Sequence, residues 1–168
     1  MTFRKLISIP ILIASALLAA NTISVFAASS PTVSLSLTAS VAAKCIISAT
    51  STVNFGVYDP VITNSPTGAN LDSTGTVSVQ CTRGSGISVT FDNGANASGA
   101  QRRMSGGTEF LNYQLYIDAA RTVILTTGFI TTAPNTNPRT YTIFGRVPRG
   151  QSVAPNAYSD TVQTHVNF

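Results

Sequence analysis

Tryptophan is missing from this 168-residue chain, histidine occurs once (His165) and glutamate once (Glu109). Charged residues make up only 10% of it, well under the ~25% of an average soluble domain. So few titratable groups leave little material for general acids, general bases or metal ligands. No Gly-x-Ser-x-Gly turn is present, and no second histidine exists to complete a triad. Asp92-Asn93-Gly94 resembles a fragment of a calcium loop, but the glutamate that closes such a loop is absent. It reads as a turn. Asp59, Asp72, Asp118 and Asp160 stand beside turn residues and form no paired-carboxylate pattern. The expectation is a non-enzyme with no catalytic residue, no cofactor and no metal.

Serine and threonine fill the space left by charge, 42 residues in all, while hydrophobic residues hold 43%. That is too apolar for a disordered polyelectrolyte, and the length suits one domain. Arg4 and Lys5 precede an uncharged apolar run over residues 6–20, and Val25-Phe26-Ala27 offers small residues at the −3 and −1 positions. This is the pattern of a secretory leader cleaved after Ala27. The run is short for a membrane span. Without Arg4 and Lys5, 8 basic residues face 6 acidic ones, a net charge of +2. Only Arg102-Arg103 are adjacent, so no basic face for nucleic acid is expected; that pair reads as a solvated loop. Export to an oxidising compartment makes Cys45 and Cys81 an expected disulfide.

The rest reads as strand. Residues 33–41 alternate apolar and small polar side chains, which puts Val33, Leu35 and Leu37 on one face. Further strands are expected over 45–47, 53–58, 76–81, 87–91, 111–117, 140–147 and 158–168, with 122–125 a weaker candidate. Residues 64–75 and 94–109 read as loops, and Arg83-Gly84-Ser85-Gly86 as a hairpin-like turn. No helical periodicity follows the leader. In the last segment Val162, Thr164, Val166 and Phe168 share a face, and His165 falls on the other with Gln163. Short strands separated by turns predict an all-β, Ig-like antiparallel sandwich. The final strand has no successor, and the exported chain opens with a spare alternating segment. A sandwich lacking its C-terminal strand and completed by a second copy is therefore expected.

Five blocks, in order, carry a resemblance. They are Cys45 with Phe55-Gly56-Val57-Tyr58-Asp59-Pro60; Gly75-Thr76-Val77-Ser78-Val79-Gln80-Cys81-Thr82; Leu111-Asn112-Tyr113-Gln114-Leu115-Tyr116; Phe144-Gly145-Arg146-Val147-Pro148-Arg149-Gly150-Gln151; and Tyr158-Ser159-Asp160-Thr161-Val162. Together they resemble the family of spore coat protein U domains and secreted subunits of archaic chaperone–usher pili. Two positions depart from it: Ile124-Leu125 stand where the family usually has Trp-Gly, and Asn156 where it usually has Gly. Asparagine tolerates the left-handed conformation such a turn needs.

The resemblance implies a structural subunit in three parts: a leader over 1–27, a donor segment over 28–38 and an incomplete Ig-like domain over 39–168. It implies donor-strand complementation, with Val33, Leu35 and Leu37 as donor side chains and Val162, Thr164, Val166 and Phe168 on the last strand facing the acceptor groove or chaperone. The implied partners are identical or related subunits, a periplasmic chaperone and an outer-membrane usher. The implied destination is the cell surface of a Gram-negative bacterium, where such fibres serve adhesion and biofilm formation. Two other readings stay open: a spore or cell-coat protein of the same fold, and a monomeric secreted binding module. Val33, Leu35 and Leu37 also have a plainer reading, as the first strand of a complete domain.

Overall fold

The computed structural model describes residues 29–126 and 128–168. The expected leader, residues 1–27, lies outside the described residues. The chain divides at Ala39 into two units, Met1–Ala39 and Ser40–Phe168. In the first, residues 29–39 take no regular secondary structure, and Val33, Leu35 and Leu37 are 93%, 82% and 82% exposed. The strand expected over 33–41 is thus not formed. The alternation is there, but a strand needs a neighbour to take its peptide groups.

The second unit holds eight described strands: β1 (Cys45–Ser51), β2 (Leu71–Cys81), β3 (Gly86–Phe91), β4 (Arg102–Ser105), β5 (Phe110–Tyr116), β6 (Phe129–Thr132), β7 (Arg139–Val147) and β8 (Thr164–Asn167). Five make one antiparallel sheet, in the order β1-β2-β7-β5-β4, and three make another, β6-β3-β8. Alternating residues of β2, β3, β5 and β7 point inward and form the core, among them Val77, Val79, Val89, Leu111, Leu115, Ile143 and Val147. The all-β antiparallel expectation holds. The disulfide joins Cys45 to Cys81, which are register partners at the start of β1 and the end of β2. It closes a loop of 36 residues in the chain and constrains the unfolded state accordingly.

Several local expectations are corrected. The turn after β2 makes no hairpin: β2 and β3 lie in different sheets, so residues 82–85 cross between the layers. Residues 71–75, read as loop, extend β2 along β7 from Leu71↔Val147. Residues 53–58 carry no strand, and the final strand contracts from 158–168 to β8. β6 was not anticipated; its four residues bury only alternate side chains partway. Leu125 is fully buried, so an aliphatic side chain fills the core where the family usually has its Trp-Gly. Asn156 is not left-handed; among the described non-glycine residues only Arg121 has a positive φ, 57°.

The largest correction concerns Arg102. The 94–109 excursion contains β4, and Arg102 is completely buried. Its Nη2 donates to the carbonyls of Asp92 at 2.8 Å and Leu125 at 3.0 Å, and its Nη1 to Gln114 Oε1 at 3.0 Å. Desolvation pulls its pKa down, and the nearby carboxylates of Asp92 and Asp160 oppose that pull. The guanidinium therefore bridges β4 of one sheet to the end of β3 in the other. Arg103 is half-buried, its Nε donating to Asn96 O at 3.0 Å and its guanidinium 4.1 Å from the Phe110 ring centroid.

Arg102→Met should destabilise the fold by about 2–4 kcal/mol, because two carbonyls and an amide oxygen lose their donors. Arg103→Met should cost under ~1 kcal/mol. Urea denaturation of the disulfide-intact proteins measures both.

Candidate functional site

Three strands cannot cover the inner face of five. A cavity of about 980 Å³ opens where cover is missing, floored by Val77, Leu111, Leu115 and Ile143 and flanked by Phe91 of β3. One wall is residues 50–58 and the other is residues 153–164. Residues 53–58 of the first wall and 158–163 of the second read as strand in sequence yet form little or no ladder here.

The first wall is seated on glycine. Inward positions 75 and 145, on β2 and β7, carry no side chain, and Val53 and Phe55 occupy the space. A Cβ on Gly75 would stand 2.7 Å from Val53, and one on Gly145 2.7 Å from Phe55. Phe55 also meets Tyr113, with ring centroids 6.1 Å apart. At the end of this wall the Tyr58 hydroxyl donates to Pro148 O at 3.0 Å and accepts from Gln151 N at 2.9 Å. The Gln151 side chain then takes both peptide groups of Asn112, at 2.8 and 2.9 Å, as a neighbouring strand would.

The second wall is held by hydrogen bonds. Ser159 exchanges backbone bonds with Ser105 at 2.8 and 3.0 Å. The Tyr158 ring lies over Gly106, where a Cβ would be 2.5 Å away. Asp160 Oδ1 accepts from Asn96 N and Nδ2, both at 3.0 Å, and Oδ2 accepts from the Tyr113 hydroxyl at 2.7 Å. Burial, then this bond to Asp160, push the Tyr113 phenol far above its ordinary pKa, so it stays protonated and donating. Asp160 stood in the sequence only as an aspartate beside a turn. Its partners are 47 and 64 residues away, which no local pattern could reveal. The Asn96 side-chain amide is thereby engaged in the same network.

The free edge of β8 completes the groove. Asp92 N donates to Gln163 O at 3.1 Å, Gln163 N donates to Asp92 Oδ1 at 2.9 Å, and Ala95 N donates to Thr161 O at 2.9 Å. Odd-numbered peptide groups of this segment thus face β3 and its extension. Alternation turns those of Val162, Thr164 and Val166 to the other side, where no described strand pairs with them. Val162 and Thr164 line the groove, Val166 packs half-buried against the core, and Phe168 is 58% exposed and outside the lining. His165 is exposed on the outer face. Among the described residues no three His, Cys, Asp or Glu side chains group as a metal site. The groove's chemistry is apolar pockets beside unpaired backbone, suited to an extended peptide segment.

The pattern of the Spore Coat Protein U domain family matches residues 31–165. The chain belongs to this family. "Protein U" of Myxococcus xanthus is a similar protein, 36% identical over 155 residues that cover 84% of this chain and 87% of that one. The fold is also similar to one in the crystal structure of the CsuC–CsuE chaperone–tip adhesion subunit pre-assembly complex from the archaic chaperone–usher Csu pili of Acinetobacter baumannii. There the TM-score is 0.56 at 21% identity, covering 76% of this chain and 40% of that chain. The family blocks quoted above now have physical roles: glycine seats at 75 and 145, the Tyr58–Gln151 clasp, and the Asp160 anchor.

Two predictions concern the walls of this Spore Coat Protein U domain. Gly145→Val should force Phe55 off its seat and destabilise the domain by about 1–3 kcal/mol, whereas Gly86→Ala, with open space around it and no positive φ, should leave the wall in place; denaturation midpoints compare them. The second concerns pH. Asp59 lies below the ordinary carboxylate range because the backbone N–H groups of Ile62, Thr63 and Val61 bind its charged form. A lowered folded pKa means its contribution is complete above the ordinary value of 3.8 and is lost as pH falls through the lower one. Asp59→Asn should accordingly flatten the stability–pH curve below about pH 4, read by acid titration.

Proposed function

We propose that this chain is a structural subunit of a cell-surface pilus or fimbria, exported through the periplasm of a Gram-negative bacterium. In this reading the groove accepts the N-terminal segment of another subunit by strand addition. A periplasmic chaperone fills the groove first, and an outer-membrane usher exchanges it for the incoming subunit. The resulting fibre serves adhesion and biofilm formation.

The observation that carries the reading is the groove with its open β8 edge: an apolar floor, two walls of strand-like sequence, and one row of unpaired peptide groups. An uncovered edge of this kind is an aggregation liability that a folded protein must have covered. The segment over 28–38 has matching chemistry, since Val33, Leu35 and Leu37 share a face and none is buried in its own chain. Val162 and Thr164 would meet them from the acceptor side, while Val166 would support the edge from below. Full burial of three such side chains contributes ~4–9 kcal/mol as an upper value, part of which offsets the ordering of the donor. A coat protein using the same strand addition is the second reading, favoured by the family's description and by 36% identity to Protein U.

Leu35→Asp should abolish polymerisation, because it places an unpaired carboxylate in an apolar groove. Chaperone binding should persist, since the chaperone fills the groove and the mutant's own N-terminus hangs free. Ser34→Asp, on the opposite face, should polymerise nearly as the parent does. Fibre yield and chaperone co-purification are measured for both variants. Normal fibres from Leu35→Asp, or its failure to reach the chaperone, would overturn the donor assignment.

A further inference from the structure

The apolar surface of the groove continues beyond its mouth. Val57 and Pro60 belong to its lining, and the chain runs from them directly to Val61 and Ile62. Val57, Val61 and Ile62 are 86%, 80% and 76% exposed. This lip is nevertheless built to one shape. The Asp59 carboxylate accepts from the N–H groups of Val61, Ile62 and Thr63 at 2.9, 3.1 and 3.2 Å. Asn64, 1% exposed, takes Asp59 N at 2.9 Å and donates to Ala69 O at 2.8 Å. A preorganised loop that shows large aliphatic side chains to solvent has the character of an interaction surface.

Chain length limits what can stand beside it. Leu37 precedes Cys45 by eight residues, so the body of a donating copy begins within ~29 Å of its last donor side chain. The end of the groove from which it emerges follows from strand direction. Cys45 pairs with Cys81 and Asn167 with Ser88, so Cys45 and Asn167 lie at the end of the sandwich where residues 82–85 cross. Residues 58 and 158 lie toward the other end. Every described strand pair is antiparallel. A donor antiparallel to β8 therefore leaves the groove at the Val57–Pro60 lip. The first exposed aliphatic residues of that copy after its donor are Val41 and Ile46, 85% and 47% exposed.

We propose that Val61 and Ile62 form a second contact with the copy whose strand fills the groove, seated against its Val41 and Ile46. The proposal rests on the strand-donation reading. The contact is head-to-tail, as repeated strand donation requires, and it would set the angle between successive subunits.

The test uses the exported chain and its Val61→Asp/Ile62→Asp variant. Groove function is read with a synthetic peptide of residues 28–38, and the lip with the dissociation rate of preformed polymers in denaturant. The expected result is peptide affinity within about twofold of the parent and polymer dissociation about tenfold faster. In addition, a Val41→Cys/Val61→Cys variant, once oxidised, should give a covalent ladder on a denaturing gel. Should the aspartate variant fail to fold, Val61→Ser/Ile62→Ser is read in the same way. Parental dissociation rates with no covalent ladder would overturn the contact. So would parental rates accompanied by lost adsorption to apolar beads, which would assign the lip to an external surface. Failure of the parent chain itself to bind the peptide or polymerise would sink the strand-donation reading, and that outcome appears in a different arm of the experiment.

Discussion

An unpaired row of peptide groups beside an uncovered apolar floor is the constraint on which the rest of this domain depends. Five strands present an inner face that three described strands cover only in part. Backbone N–H and C=O groups need partners, and apolar surface favours removal from water. Both demands meet at the free edge of β8. One extended segment with apolar side chains on one face would satisfy them together. A globular ligand would satisfy only the second.

A groove of about 980 Å³ does not stay open through apolar packing alone, since apolar walls tend to collapse on one another. Here the walls are held from behind by directional bonds. Asp160 fixes one side through Tyr113 and Asn96, and the Tyr58–Gln151–Asn112 clasp fixes the other. Arg102 ties the two sheets together at the end of β3. Such networks are costly when half satisfied and rigid when complete. Their members are scattered through the chain, so the groove's shape is set cooperatively by the whole domain. Keeping the walls strand-like but largely unladdered leaves their remaining peptide groups available.

Much of this was legible in the sequence. Alternation in 76–81, 87–91, 111–117 and 140–147 located four core strands, because each has one face buried and one face polar. The leader-like pattern and two cysteines pointed to the 45–81 disulfide. The five ordered blocks pointed to the family. Other features were hidden for identifiable reasons. β4 carries Arg-Arg-Met-Ser, whose charge argues for solvent, and only the carbonyls of Asp92 and Leu125 make its burial possible. Residues 53–58 alternate like a strand but lack a partner for their backbone, so the pattern overstated the structure. The Arg83–Gly86 turn looked like a hairpin because a turn's local chemistry does not say which sheet the next strand enters.

The sequence by itself determined which side chains face inward, since the period of two is a local property of each strand. It also determined that the cysteines would pair. Only the tertiary structure decided where cover is missing. Strand order, the crossing between sheets and the seating of Val53 and Phe55 on Gly75 and Gly145 are relations between residues tens of positions apart. They arise when two layers of unequal width pack together, and a gap between layers has no sequence of its own.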